Sequence, residues 1–285
     1  MPDIDIESLR AQLGRTIVDE DVATEAPLRG MAATFDRDEP PPRTGEPVPP
    51  GWHLAYFPDT PKRRDLAEDG LPTGRGVLPK MPLPRRMYAG ATLTFHAPIQ
   101  VGDPLRRETE FSDVQLRQGS TGTLILVTQT RRIYTPRGLA LTDAQHGVFR
   151  EAVPPGAASG IPRRDTPTAD LPWQRVWAPD SVTLFRYSAL TFNPHRIHYD
   201  RPYAMGVEGY PGLVVHGPFS QQCLLDLLRD STHRPIARFD MRARAPLFDT
   251  APFTVVGRPV GENAAEIWAV TPDGTIAMQA TATLG

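Results

Sequence analysis

Gly217-Pro218-Phe219-Ser220-Gln221-Gln222-Cys223-Leu224-Leu225-Asp226-Leu227-Leu228 is the stretch from which the architecture can be read. Phe219, Cys223, Leu224, Leu227 and Leu228 recur at helical spacing and give one apolar face. Pro218 just inside the start suits a helix N-terminus, where the missing N–H would have had no intrahelical acceptor. Strand-like runs follow at about 236–247, 253–260, 264–271 and 275–283, with Pro272-Asp273-Gly274 as a turn. A helix with one buried face, followed by strands joined by tight turns, predicts an antiparallel sheet wrapped on that helix.

A similar series lies upstream. Residues 92–95, 105–116, 121–134 and 138–149 read as four strands, with Gln118-Gly119-Ser120-Thr121-Gly122 and Pro136-Arg137-Gly138 as hairpin turns. Ala97-Pro98-Ile99 stands 148 residues before Ala245-Pro246-Leu247. Each triplet closes the first strand of a four-strand run, which points to two sheets of one kind in a single α+β chain. Residues 154–172 are rich in Pro, Gly, Ala and Thr and read as a linker between halves at 1–153 and 173–285. Prolines crowd an irregular insertion at about 40–84, which Trp52, Leu54, Tyr56 and Phe57 anchor to the body. Ile6, Leu9 and Leu13 predict an amphipathic helix over 5–20.

Composition narrows the class. The chain has 285 residues, 40% hydrophobic and 22% charged, with a formal net charge of −2. That balance, without a basic block, speaks against a nucleic-acid or anionic-membrane binder. No run approaches the roughly 18 apolar residues of a membrane span. The acidic start, Asp3-Ile4-Asp5-Ile6-Glu7, does not read as a secretory signal. Cys223 is the single cysteine, so an internal disulfide and a cysteine-rich zinc site are excluded, and a reducing cytoplasm suits the chain. Arginine outnumbers lysine 29 to 2.

Three of the seven histidines fall between 195 and 216. The stretch runs Phe185-Arg186-Tyr187-Ser188-Ala189-Leu190-Thr191-Phe192-Asn193-Pro194-His195-Arg196-Ile197-His198-Tyr199-Asp200, and then Tyr210-Pro211-Gly212-Leu213-Val214-Val215-His216-Gly217. A helix beginning at Gly217 offers bare N–H groups and a positive dipole end, and glycine lets a ligand oxygen come close. His198 is suited to moving protons near neutral pH. Asn193 can orient water or a hydroxyl but cannot serve as a base. Together these groups allow proton abstraction beside a carbonyl, or addition of water to a conjugated double bond.

The segment 189–200 resembles the hydratase motif of MaoC-like (R)-specific enoyl-CoA hydratases, Leu-Ser-Gly-Asp-x-Asn-Pro-x-His-x-Asp. Leu190, His198 and Asp200 match, while Asn193 and His195 stand where that motif has Asp and Asn. The segment Pro211 to Gly217 resembles the family's Pro-x-x-x-x-His-Gly. The variant pattern, with Leu83-Pro84-Arg85-Arg86-Met87-Tyr88-Ala89-Gly90 and Val101-Gly102-Asp103, is similar to the branch of type 2 hydroxyacyl-thioester dehydratases and mesaconyl-C4-CoA (3-methylfumaryl-CoA) hydratases, with itaconyl-CoA hydratases as relatives. The resemblance implies a double hotdog, with a degenerate N-terminal half and the site in the C-terminal half. It implies a hydro-lyase acting on an acyl-CoA, with a branched C5 dicarboxylyl thioester as the expected substrate. By the same resemblance Gly217 polarises the thioester carbonyl and His198 carries protons; in the mechanism this suggests, Asn193 holds water or hydroxyl, and His195 is either a second proton carrier or an orienter of Asn193.

Arg85, Arg86, Arg186 and Arg196 are candidates for coenzyme A phosphates or a substrate carboxylate. Neither a metal nor an organic cofactor is implied; coenzyme A enters as part of the substrate. The segment reads as a turn, which does not set His195, His198 and Asp200 on one face as metal ligands. Asp200, before Arg201-Pro202, reads as a helix N-cap, and His216 as a packing or capping residue. Three other functions stay open: a straight-chain 3-hydroxyacyl-thioester dehydratase, an acyl-CoA thioesterase and a non-catalytic acyl-thioester binder. Hotdog sheets pair, so a monomer and a homodimer of the fused chain are both open.

Overall fold

The computed structural model describes residues 4–74, 76–119, 122–151 and 171–285. In chain order it forms α1 (Ile6–Arg10), β1 (Thr16–Val22), α2 (Glu25–Thr34), β2 (Arg85–Phe95), β3 (Pro104–Gly119), β4 (Gly122–Thr135) and β5 (Gly138–Arg150). After the segment that contains the predicted linker, nearly all of it outside the described residues, come β6 (Trp173–Trp177), α3 (Ser181–Leu190), α4 (Arg201–Gly206) and α5 (Gly217–Thr232). The chain closes with β7 (Ile236–Ala243), β8 (Phe253–Val260), β9 (Ala264–Val270) and β10 (Ile276–Leu284).

All ten strands join one antiparallel sheet in the order β1-β3-β4-β5-β2-β7-β10-β9-β8-β6. Replacing β1 to β5 by β6 to β10 turns the first half of that order into the mirror of the second, so the halves share one topology. They meet edge to edge where β2 pairs with β7. Thr92 there faces Asp240, its own counterpart 148 residues on, and its hydroxyl donates to Asp240 Oδ1 at 2.8 Å. A residue that pairs with its own repeat lies on the pseudo-twofold axis. The weak triplet repeat therefore marks the register of the whole fold.

α5 lies against the C-terminal sheet and packs most closely on β8 and β9. Its five apolar positions are all buried. Burying a Leu or Phe side chain is worth about 1.5–3 kcal/mol, so this face holds the half together. The N-terminal half has no helix of that length among the described residues. Its counterpart region, residues 35–84, carries the prolines that forbid a continuous helix. Trp52, Ala55, Tyr56 and Phe57 fill the hollow instead, and Gln222 Nε2 of α5 donates to Pro50 O at 3.2 Å. The expected wrapping on a helix in each half thus becomes one helix beside one aromatic plug.

The helix expected over 5–20 is a correction. α1 ends at Arg10; Gly14 takes φ 81°, and the β-branched run after it pairs as β1 with β3. Leu13, which the helical spacing needed on an apolar face, is exposed. Tertiary pairing of Thr16-Ile17-Val18 outweighs the local periodicity. α2 and β6 have no precedent in the sequence reading. β6 adds a fifth strand to the C-terminal run, and β1 does the same upstream.

Candidate active site

α3 ends in a way that presents Asn193. Its helix-capping residue is Thr191, and Phe192 follows in the left-handed region at φ 50°. Asn193 N–H donates to Ser188 O at 2.8 Å and Phe192 N–H to Ala189 O at 3.4 Å. This is the two-bond ending that glycine normally supplies, here held by a phenylalanine. Pro194 then prevents the helix from continuing. Asn193 Oδ1 accepts from His195 N–H at 3.0 Å, so its side-chain oxygen is identified by a donor and its NH₂ group has no partner among the described residues.

A single 3₁₀ turn, Arg196–His198, brings the second histidine inward. Asp200 then caps α4 by accepting from Tyr203 N–H at 3.1 Å, with Pro202 in the first turn, as its sequence position suggests. Val214 clamps this turn at two points. Its N–H donates to Ile197 O at 3.0 Å, and its carbonyl accepts from His198 Nδ1 at 2.7 Å. A carbonyl can only accept, so Nδ1 carries the proton and Nε2 keeps a bare lone pair. Burial pushes the His198 pKa down to about 3, against the opposing pull of the Val214 carbonyl. The ring is therefore neutral at neutral pH.

His216 joins this histidine to α5. It is fully buried, stands at the N-cap position, and stacks its ring on His198 with centroids 3.7 Å apart. Ser188 Oγ holds its Nε2 at 2.8 Å, and desolvation keeps it neutral too. His195 meets His198 edge to face at 5.4 Å. Burial and the nearby positive charge of Arg86 lower its pKa to about 4. Three neutral imidazoles thus stand in a row ending at the first N–H of α5. No acceptor among the described residues faces the Gly217 N–H.

The N-terminal half covers this helix start. The ring of Tyr88, from β2, lies so close to Gly217 that a Cβ there would fall within 3.0 Å of Cδ1, Cγ and Cε1. Tyr88 Oη donates to Gln221 Oε1 at 2.7 Å, one turn into α5. A bulge between Tyr88 and Gly90 bends β2 at this point, and Gly90 at φ 145° passes too near Met241 O for any side chain. Tyr88 and Gln221 were not singled out from sequence; only the resemblance of the run containing Tyr88 hinted at that strand.

The four candidate arginines separate. Arg85 is committed to Glu208 at 3.0 Å and to the Tyr210 hydroxyl at 3.1 Å. Arg196 is committed to Asp200 at 2.8 Å, to Glu68 O, and to the face of Tyr203. Arg186 lies exposed on α3. Arg86, exposed on β2 like Arg186 on α3, has no partner among the described residues, and its charge is felt at His195.

A fixed base with a free lone pair beside a bare helix N-terminus defines a class: enzymes that move protons next to a polarised carbonyl. The chain belongs to the hydroxyacyl-thioester dehydratase type 2 family, whose model matches residues 51–249, and it is an enzyme of the hydro-lyase type. It is 43% identical over 276 residues, 96% of this chain and 97% of the relative, to the mesaconyl-C(4)-CoA hydratase of Chloroflexus aurantiacus. Among solved structures it is similar to a MaoC-like dehydratase, with TM-score 0.72 at 14% identity over 97% of this chain and 99% of the other. It is also similar to a Mycobacterium tuberculosis protein with a double hotdog fold, with TM-score 0.55 at 12% identity over 96% of each chain. The fold is the double hotdog.

Proposed function

We propose that the chain adds water to the double bond of an enoyl-CoA thioester of the mesaconyl-C4-CoA kind, or removes it from the corresponding 3-hydroxyacyl thioester. The observation that carries this reading is the tautomer of His198. Val214 holds Nδ1–H, and the free Nε2 stands beside the helix start through the stack on His216. Near-full-length similarity to a hydratase of that substrate supports the acyl group.

In the hydration direction His198 Nε2 takes a proton from water, and the oxygen attacks the β-carbon. The π electrons of the double bond move to the α-carbon and the thioester oxygen, which the Gly217 N–H and the dipole of α5 stabilise. One such donor is worth about 3 kcal/mol in comparable sites. His198 then returns its proton to the α-carbon, so the base ends as it began. The free NH₂ of Asn193 donates to the attacking oxygen and fixes its position. Its oxygen, tied to His195 N–H, keeps the amide from turning round. An amide cannot share the proton transfer, so one imidazole performs both proton steps. Coenzyme A enters only as part of the substrate, and the residues named need no added cofactor.

The deciding experiment offers the purified chain mesaconyl-C4-CoA, itaconyl-CoA and crotonyl-CoA, with products read by mass spectrometry and free thiol measured in parallel. Gain of 18 mass units without thiol release is expected, fastest with mesaconyl-C4-CoA. Thiol release without hydration would make the protein a thioesterase. Best turnover of crotonyl-CoA would favour a straight-chain 3-hydroxyacyl-thioester dehydratase.

A further inference from the structure

One charged group near the histidines has no role in the proton chemistry above. Arg86 sits on β2 two residues before Tyr88, and alternation along a strand puts the two side chains on one face. Tyr88 on that face covers Gly217. Arg86 is solvent-accessible, yet protein crowds its guanidinium enough for desolvation to lower its pKa. Its charge is felt at His195 and at Arg131 of β4. Arg131 has a counter-charge in Asp143 at 3.8 Å, and the three imidazoles are neutral. Arg86 has no carboxylate, carbonyl or ring partner among the described residues.

A guanidinium with no partner among the described residues, on the strand face whose Tyr88 covers the start of α5, suits a ligand anion. Position decides which anion. In the hydration reading above, His198 acts at the β-carbon and the Gly217 N–H at the thioester oxygen, and Arg86 stands on the strand face whose Tyr88 covers Gly217. The phosphates of coenzyme A lie many bonds beyond the thioester sulfur. A carboxylate attached to the β-carbon lies one bond from the reacting atom. We propose that Arg86 pairs with the free carboxylate that a dicarboxylyl thioester bears on its β-carbon, and that this pairing selects such thioesters over simple enoyl thioesters. The proposal rests on the hydratase reading and adds the residue that sets its acyl specificity. It also separates two arginines adjacent in sequence: Arg85 braces Glu208, and Arg86 meets the substrate.

Saturated analogues test recognition apart from turnover. Succinyl-CoA carries a carboxylate on the β-carbon, and butyryl-CoA carries a methyl in its place. Calorimetric affinities of both are measured for the wild-type chain, Arg86→Met and Arg86→Lys. The wild type is expected to prefer succinyl-CoA. Arg86→Met is expected to lose succinyl-CoA affinity by about tenfold, the loss expected when a charge-assisted hydrogen bond at a solvent-accessible site is removed. Butyryl-CoA affinity should change less than about threefold, which also reports an intact fold, and Arg86→Lys should restore part of the loss. Equal wild-type affinities for the two thioesters would overturn the proposal. So would a matched loss of both in Arg86→Met. Failure of the hydratase reading looks different: a preserved Arg86-dependent preference for succinyl-CoA with no hydration of mesaconyl-C4-CoA.

Discussion

Gly217→Ala places one methyl group between the halves, against the ring of Tyr88. Gly217 does not have a positive φ, so the backbone itself accepts alanine. At the first position of α5 the change even removes some unfolded-chain freedom, worth at most about 0.5–1 kcal/mol. The opposing term is larger. The new Cβ would lie 2.8 Å from Tyr88 Cγ and 3.0 Å from Cε1, with Cδ1 nearer still. Ordinary carbon contacts are about 3.5–4.0 Å, so the ring must retreat by about 1 Å. The hydrogen bond from Tyr88 to Gln221 resists that retreat. Overpacking of this kind costs about 1–3 kcal/mol, which leaves a net destabilisation of about 1–2 kcal/mol. Urea denaturation of the wild type, Gly217→Ala, Tyr88→Ala and the double variant gives the coupling directly. In the Tyr88→Ala background, Gly217→Ala should be neutral or slightly stabilising. The same loss in both backgrounds would refute the claim that the ring closes over this helix start.

Other outcomes follow from the same geometry. His198→Ala should lower the hydration kcat by about 10²–10⁴-fold while the thermal melt stays cooperative, and turnover within tenfold of wild type would remove His198 as the base. The folded-state pKa of His198 is depressed, so its contribution to stability is present above pH 6.5 and is lost as pH falls toward about 3. At pH 5 that loss is about 2 kcal/mol. His198→Gln should therefore flatten the fall in stability between pH 7.5 and 5, read by urea titration; parallel curves for the two proteins would contradict it. Asp226 behaves oppositely. Burial raises it to about 6 despite Arg229 and Arg37, and Gln222 donates to it at 2.9 Å. Its contribution is full below pH 4 and is lost as pH rises through 6. Asp226→Asn should then raise stability at pH 8 by about 2–3 kcal/mol and leave it almost unchanged at pH 4. A destabilised variant at pH 8 would mean that the ion pair with Arg229 outweighs the burial.

What could be read from sequence had a local cause. The strands of each half announce themselves through alternation and turns, and α5 through its apolar face. The 148-residue offset between two short triplets anticipates the Thr92–Asp240 pairing. Asp200 as an N-cap is legible because capping is a local habit. The plug of Trp52 to Phe57 beside α5 could be located as an anchored loop, but nothing local says which cavity it fills. β1 hid behind a helical spacing that its pairing with β3 overrides. In the site, the three histidines were visible as a cluster, whereas the Val214 carbonyl that chooses the His198 tautomer was not. A backbone acceptor carries no residue-type signal. Tyr88 and Arg86 lie more than 100 residues from the motif they face, and only strand order brings them there.

The Thr92–Asp240 junction has one more consequence. Two identical subunits meeting at such an axis must place every residue twice, so any group helpful at one cleft is forced upon the other. A fused chain escapes that bond. Here proline-rich loop can stand on one side of the axis while an intact helix stands on the other. One half becomes furniture for its neighbour: it supplies an aromatic roof and a loose cation, and keeps no matching histidine row of its own among the described residues. Covalent union lets the two lobes specialise, one holding the histidine row and the other the ring that covers it.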